Sequence, residues 1–383
     1  MSRNKWIVLS LLLVALLSGC WNRNEPERML YVYGLGIDYK DGEYNVYVQI
    51  IDYKKVAKLE QPNTDPKQSE TGFATGKTID EAIFNIYNSA DQRIYWGQLT
   101  FIILSEEALK NGAMQSAMDT FLRYRETRYQ VLLYGTADSV KDVLLTVPIV
   151  NTAITLSRLG DPKNTYDQSS SVEPVDIRRM VIGLNEPGHE MVIPYMEVSE
   201  NWETVTGKDK IAQLAGGGLI TPKEFKGFLD VEKLSGLKWM NEKTQRGEVT
   251  FSLNSEEDFM TAIFQKIKVK VTPVVEGDTV KFDIDVRMQG EVSAIPIKIN
   301  KDEIRKKAEQ EIKKQIEETY KEALKLDVDI YRLSEYLYRK DVKAWKRLQE
   351  KGKVGLSENS IRTLNVKIIE LNSDRKTFTE KNR

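Results

Sequence analysis

Apolar and polar residues alternate most strictly between residues 266 and 288. Ile267, Val269 and Val271 alternate with Lys266, Lys268 and Lys270. After Glu276-Gly277-Asp278, the residues Val280, Phe282, Ile284, Val286 and Met288 alternate with Lys281, Asp283, Asp285 and Arg287. A repeat of two predicts a β-hairpin with one dry and one wet face. The period then lengthens to four: Ile304, Ala308, Ile312, Ile316 and Tyr320 form the apolar stripe of a long helix, with Asn300 as cap and Glu303 three residues on. Glu303 with Lys307, Glu309 with Lys313 and Glu317 with Lys321 are predicted to pair on its exposed side, worth about 0.2 to 0.5 kcal/mol each. Shorter helices follow over Ile330 to Arg339 and Asp341 to Gln349, and Leu364, Val366 and Ile368 alternate in a last strand. This third of the chain predicts a mostly antiparallel sheet covered by a long helix.

Upstream the pattern mixes strands and helices. Leu30 to Asp38 and Tyr44 to Ile51 are rich in Tyr, Val and Ile and flank Asp41-Gly42, the pair that supplies positive φ in a tight hairpin. Leu59 to Lys77 reads as a polar loop. Thr78, with Glu81 three residues on, caps a helix to Ala90 whose apolar face is Ala82, Ile83, Ile86 and Tyr87. Leu99 to Leu104 is a continuous apolar strand, and Ser105 caps a helix that Asn111-Gly112 ends. Met114 to Arg123 predicts a helix, Tyr129 to Gly135 a buried strand, and Asp138 to Leu145 a short helix. Ser157 to Arg179, rich in Gly, Asp, Pro, Asn and Ser, reads as a long exposed excursion, after which a strand from Glu190 to Glu197 closes this unit. A small unit from Ile211 contains Gly216-Gly217-Gly218-Leu219-Ile220 and Trp239.

The first twenty residues differ from all the others. Arg3 and Lys5 precede an apolar run from Trp6 to Leu17, then Ser18 and Gly19, then Cys20, the single cysteine of the chain. A dozen residues in a helix reach only about 18 Å, short of a hydrocarbon core about 30 Å thick. The segment therefore reads as a lipoprotein signal peptide, with Cys20 acylated at the mature N-terminus, because two or more chains hold a protein on a bilayer where one does so reversibly. The expected division is leader 1–19, lipidated tether 20–27, N-terminal α/β domain 28–200, small middle domain 201–258, C-terminal α+β domain 259–376 and tail 377–383. The fold class is α+β, with three mixed α/β domains.

Composition narrows the partners. Hydrophobic residues make up 41% and charged residues 30% of the 383, the balance of a globular chain. Lys and Arg number 56 against 57 Asp and Glu, which argues against a nucleic-acid surface. With Cys20 committed to lipid, no disulfide can form.

Motifs that resemble catalytic chemistry dissolve on inspection. Gly72 to Thr78 has three residues between its glycines where a phosphate loop needs four, and no apolar strand leads into it. Gly34-Leu35-Gly36 lacks the third glycine of a dinucleotide fingerprint, Tyr39 standing in its place, and reads as a bulge or close backbone contact. His189, the single histidine, has no cysteine to join it in a zinc site, and no Gly-x-Ser-x-Gly supports a serine triad. Asp283 and Asp285 share a strand face with Lys281 and Arg287, a solvated charge ladder. Asp327 and Asp329 read as helix caps, and the tyrosines of the first hairpin as packing. No catalytic, cofactor-binding or metal-binding residue is expected.

Four segments in order resemble the Ger(x)C family, the C subunits of nutrient germinant receptors of endospore-forming bacteria. They are Gly19-Cys20-Trp21-Asn22-Arg23 with Gly34-Leu35-Gly36-Ile37-Asp38; Arg93 to Leu99 leading into Phe101 to Leu104 and Ser105-Glu106-Glu107-Ala108; Gly217-Gly218-Leu219-Ile220 with Phe225 to Leu229; and Asp329 to Ser334 followed by Trp345-Lys346. Gln98 stands where the family has histidine, and Tyr331 to Ser334 replaces a stretch richer in phenylalanine and glycine; both read as packing positions. The resemblance implies a lipid-anchored protein on the outer face of the inner spore membrane, working with polytopic A and B subunits and not as an enzyme. It marks no germinant site. A lipid-anchored solute-binding protein is the alternative, and a cell-wall hydrolase finds no paired acids, metal ligands or nucleophile. The loops at 59–77 and 161–173 are the first expected interface residues.

Overall fold

The computed structural model describes residues 28–51, 69–123, 126–253, 259–292 and 301–373. Cys20, the leader, the tether, Asn300 and the tail lie outside them, as do residues 59–68 of the expected polar loop.

The N-terminal half builds one ten-stranded sheet. Its strands are β1 (Met29–Lys40), β2 (Glu43–Ile51), β3 (Ser69–Gly76), β4 (Arg93–Tyr95), β5 (Phe101–Ser105), β6 (Leu132–Thr136), β7 (Val175–Asp176), β8 (Met191–Thr204), β9 (Gly207–Ile220) and β10 (Phe225–Asp230). They run in the order β10-β9-β8-β6-β5-β1-β2-β3, with β4 beside β1 and β7 beside β6. The centre is parallel, with Gly34 level with Phe101, Phe101 with Leu132, and Gly135 with Tyr195, and antiparallel hairpins extend it on both sides. At the first hairpin Asp41 and Gly42 both have positive φ, 55° and 85°, as that turn requires.

The register of β1 shifts between Val32 and Gly34. This bulge turns Val32, Leu35 and Ile37 to one face, while Tyr33 faces the other. Gly34 is required there, because a Cβ would stand 2.5 Å from the Phe101 ring. The helices α1 (Ile79–Tyr87), α2 (Glu106–Lys110) and α3 (Ala113–Arg123) cover the first face. Thr78 and Ser105 cap α1 and α2 through the N–H groups of Glu81 and Ala108. The second face meets α4 (Val140–Leu144) and the stretch after it, which carries α5 (Lys163–Gln168). α6 (Ile177–Asn185) returns to the first face.

Two expectations change here. Residues 69–76 are strand rather than loop: β3 pairs with β2 along its length. The 157–179 excursion is packed rather than free. Ser170 is buried and its hydroxyl accepts from the N–H groups of Gln245 and Arg246, while Glu173 meets Arg179, Lys243 and Asn241. Burial works to raise the Glu173 carboxyl, but Arg179 and Lys243 outweigh it and hold it below the usual range.

The second sheet has the order β11-β12-β13-β16, from β11 (Gly247–Ser252), β12 (Phe259–Glu276), β13 (Thr279–Val292) and β16 (Ile361–Ser373). The first three are antiparallel and β16 runs parallel to β13. On β13 burial alternates without a break, placing Val280, Phe282, Ile284, Val286 and Met288 inside. Helix α7 (Lys301–Lys325) lays Ile304, Ala308, Ile312, Ile316 and Tyr320 on this core, each fully buried aliphatic side chain contributing about 1.5 to 3 kcal/mol. Its surface charges pair differently from expectation. Glu309 accepts the backbone N–H of Ile368 at 2.8 Å, Lys313 reaches Glu317, and Lys321 reaches Glu358. Helices α8 (Leu333–Lys340) and α9 (Val342–Leu348) and a small hairpin, β14 (Gln349–Glu350) with β15 (Lys353–Val354), complete this half.

Of the expected middle domain, the described residues 201–253 contribute to both halves. The end of β8, β9 and β10 extend the first sheet, whereas Trp239 and β11 join the second core. Among the described residues no helix is long and apolar enough to cross a membrane.

Candidate functional site

The densest buried polar chemistry lies where the two sheets' cores meet. Three segments supply it: the turn between α6 and β8, the link between α7 and α8, and the β14–β15 hairpin. The α7 helix ends with Asp327 in the left-handed region, φ 54°, which swings the chain so that Asp329 points inward. Asp329 is almost fully buried, and its carboxylate accepts the N–H groups of Leu333 at 2.9 Å and Ser334 at 2.7 Å, capping α8.

Glu190, just before β8, joins it from the other half. Glu190 accepts the backbone N–H of Asp329 and stands 3.2 Å from the Lys353 ammonium. Lys353 also pairs with the Asp327 carboxylate at 3.1 Å. Burial drives the Asp329 carboxyl up to about 7, with Glu190 adding to the rise, while the two backbone N–H groups and Lys353 pull the other way.

One residue earlier, His189 Nδ1 lies 2.8 Å from Glu335 on α8. Arg339 meets the other Glu335 oxygen at 2.5 Å. Burial favours the protonated carboxyl, but His189, Arg332 and Arg339 outweigh it and hold Glu335 below the usual range. Beside this pair the Ser334 hydroxyl accepts from Val354 N–H at 2.9 Å and Trp345 Nε1 at 3.3 Å. It serves as a fastening, and its lone pairs are occupied. The network walls a cleft of about 690 Å³ between the halves.

This arrangement can brace two halves and take up or release a proton near neutrality at Asp329. It offers no activated nucleophile. Among the described residues no group of three or more His, Cys, Asp or Glu side chains could hold a metal ion.

The other singled-out residues have structural roles. Gly76 closes β3, and Thr78 caps α1. Asp283 is forked by Arg362 of β16 and accepts the Thr363 hydroxyl at 2.8 Å; these bonds, Arg362 foremost, hold its carboxyl at about 2. Asp285 meets Asn365. The charge ladder therefore runs across to β16 rather than along β13. Asp38 accepts the hydroxyl of Ser105, so two of the four family-like segments meet. Trp96 is buried and donates to the Tyr87 hydroxyl at 2.8 Å. Of the junction, sequence reasoning reached the capping role of Asp329 but missed Glu190, Lys353 and the His189–Glu335 pair. The signal available was an unusual density of ionisable residues beside apolar ones in His189-Glu190-Met191 and Asp327 to Glu335.

Residues 22–198 match the family described as "Spore germination protein N-terminal domain", and residues 215–368 match "Spore germination B3/ GerAC like, C-terminal". The chain belongs to the Ger(x)C family. Spore germination protein KC of Bacillus subtilis (strain 168) is 22% identical over 365 residues, covering 90% of this chain and 89% of the relative. Spore germination protein B3 of the same organism is 24% identical over 293 residues, covering 75% and 74%. The crystal structure of the GerBC protein overlays with a TM-score of 0.50 at 18% identity, over 89% of this chain and 97% of that one. That likeness concerns the fold, and it agrees with the α+β architecture. The family-like segments bracket the junction: Asp329, Ser334 and Trp345 all belong to the fourth of them.

Proposed function

We propose that this Ger(x)C chain is a non-catalytic subunit of a spore nutrient germinant receptor, anchored by lipid at Cys20 to the outer face of the inner spore membrane and docked there with polytopic A and B subunits. The observation that carries the reading is the pair of family matches, which together span both halves of the molecule. The leader ending at Cys20 supports the anchor. Tethering confines the folded domains beside the bilayer and raises their effective concentration against membrane partners, so a modest interface suffices.

The test is Cys20→Ala in the full chain. The variant is expected to leave the membrane fraction and lose receptor function while its folded domains keep their thermal stability. Retention in the membrane would remove the anchor from the account. Capture of a small nutrient by the subunit itself would instead appear as ligand-dependent thermal stabilisation of the soluble domains, where docking expects none.

A further inference from the structure

We propose that the β14–β15 hairpin is a proton-controlled latch over the cleft between the halves, held down while the buried pair Glu190 and Asp329 keeps one proton and released when both are ionised. The latch belongs to the cleft and does not depend on the docking reading.

The hairpin has two ladder pairs, Gln349 with Val354 and Glu350 with Lys353, and pairing as short as this does not hold a ribbon in place by itself. Its base is fixed, because Val354 belongs to the apolar core of the second half and donates its N–H to the Ser334 hydroxyl at 2.9 Å. The tip is held differently. Glu350, Lys351 and Gly352 are exposed, and Lys351 and Gly352 turn the chain with φ of 55° and 96°. Polar links alone tie this turn to the body: Lys353 stands 3.2 Å from Glu190 and 3.1 Å from Asp327, and the Gly352 carbonyl accepts the Gly188 N–H at 3.0 Å. An element with few buried apolar contacts is one that opens locally. Residues Glu350 to Lys353 also line the cleft of about 690 Å³, so lifting them admits water to it.

Behind the tip, two carboxyl groups face one ammonium. The Glu190 side chain is 5% exposed and Asp329 1%, and Lys353 faces both. One cation offsets one buried carboxylate, and a second buried charge has to take up a proton or reach water. Burial carries the Asp329 carboxyl up to about 7 and Glu190 adds to the rise, against the pull of the Ser334 and Leu333 N–H groups and of Lys353; in water it would ionise near 3.8. The shut state thus binds the extra proton, and its advantage fades as pH rises toward 7. Other groups around the pair are engaged elsewhere. From α7, Tyr320 is pushed up by burial and by Asp329 and stays neutral, and from β10, Lys226 is tied to Glu224 at 2.7 Å. On α8, Arg332 and Glu335 belong to the His189 cluster.

The experiment is amide hydrogen exchange of the full chain, corrected for the intrinsic rate at each pH. The Gly188 and Val354 amides, which donate to Gly352 and Ser334 across the latch, report opening. Between pH 5.5 and 7.5 their protection is expected to fall by about tenfold, while the amides of β13 hold theirs. Glu190→Gln keeps an acceptor for the Asp329 N–H and removes one carboxyl charge, and Asp329→Asn removes the other. Each is expected to reduce that fall to less than about twofold. Equal falls in the wild type and both variants would overturn the proposal and assign the titration to His189, which both leave in place. The wild type alone decides if neither variant folds: a flat profile, or a fall spread over both sheets, would also overturn it.

Discussion

Asp329 shows how far a single side chain can depart from its local role. By sequence it is a helix cap, and it does cap α8. What sequence does not show is Glu190, 139 residues away, which shares its buried site. The consequence is a defined pH dependence. The native carboxyl keeps its proton up to about pH 7, whereas the unfolded one loses it near 3.8. Between those values the native state binds the extra proton, so the contribution of this group to stability is fully present below the unfolded pKa and is lost as pH rises toward 7, by at most about 1.4 kcal/mol per pH unit. Asp329→Asn removes the titration and also turns an amide N–H toward one of the two backbone donors, costing about 1 to 3 kcal/mol. Urea denaturation between pH 4.5 and 7.5 is expected to show a flatter profile for the variant, below the parent at the acid end and meeting or crossing it toward neutrality. Parallel slopes for the two proteins would mean that Asp329 is ionised throughout, despite its burial and Glu190 beside it.

At the scale of elements, the sequence was legible wherever one face of an element meets a core. The period of two on β13 and of four on α7 translate directly into buried faces, because each repeat matches the geometry of its backbone. Ile312→Ala should therefore cost about 2 to 5 kcal/mol in denaturant unfolding, the range for a truncation that leaves a cavity. Edge strands are different. Ser69 to Gly76 carries little apolar alternation and becomes β3 through backbone pairing with β2, which no local pattern records. The helix surface was misread for a related reason. Glu309 matches the spacing for an ion pair with Lys313, but β16 brings the Ile368 N–H to it first. Glu309→Ala is expected to lose about 1 kcal/mol and Glu303→Ala close to none, as measured by the shift in urea midpoint. Equal effects of the two would return both residues to the role of helix-surface charges.

For the whole molecule, the question is how two sheets, joined in one core where Leu219 and Leu229 of the first sheet pack against the second, are held in register as one body. The answer lies in the short turn before β8. Gly188 has φ +69° and donates its N–H to Gly352 at 3.0 Å; a Cβ there would stand 2.7 Å from the Ser334 hydroxyl. The backbone thus approaches α8 as closely as a glycine permits, and that approach delivers His189 to Glu335 and Glu190 to Lys353. A valine at position 188 adds both a strained φ and a clash, displacing the turn and with it three connections between the halves. The apolar packing under each sheet is left in place by this change, since none of the apolar clusters includes the turn. Gly188→Val is therefore expected to split thermal unfolding, measured by calorimetry, into two transitions where the parent shows one. A single transition moved to lower temperature would place the coupling in the shared strands β9 and β10 instead, leaving the junction as a local fastening.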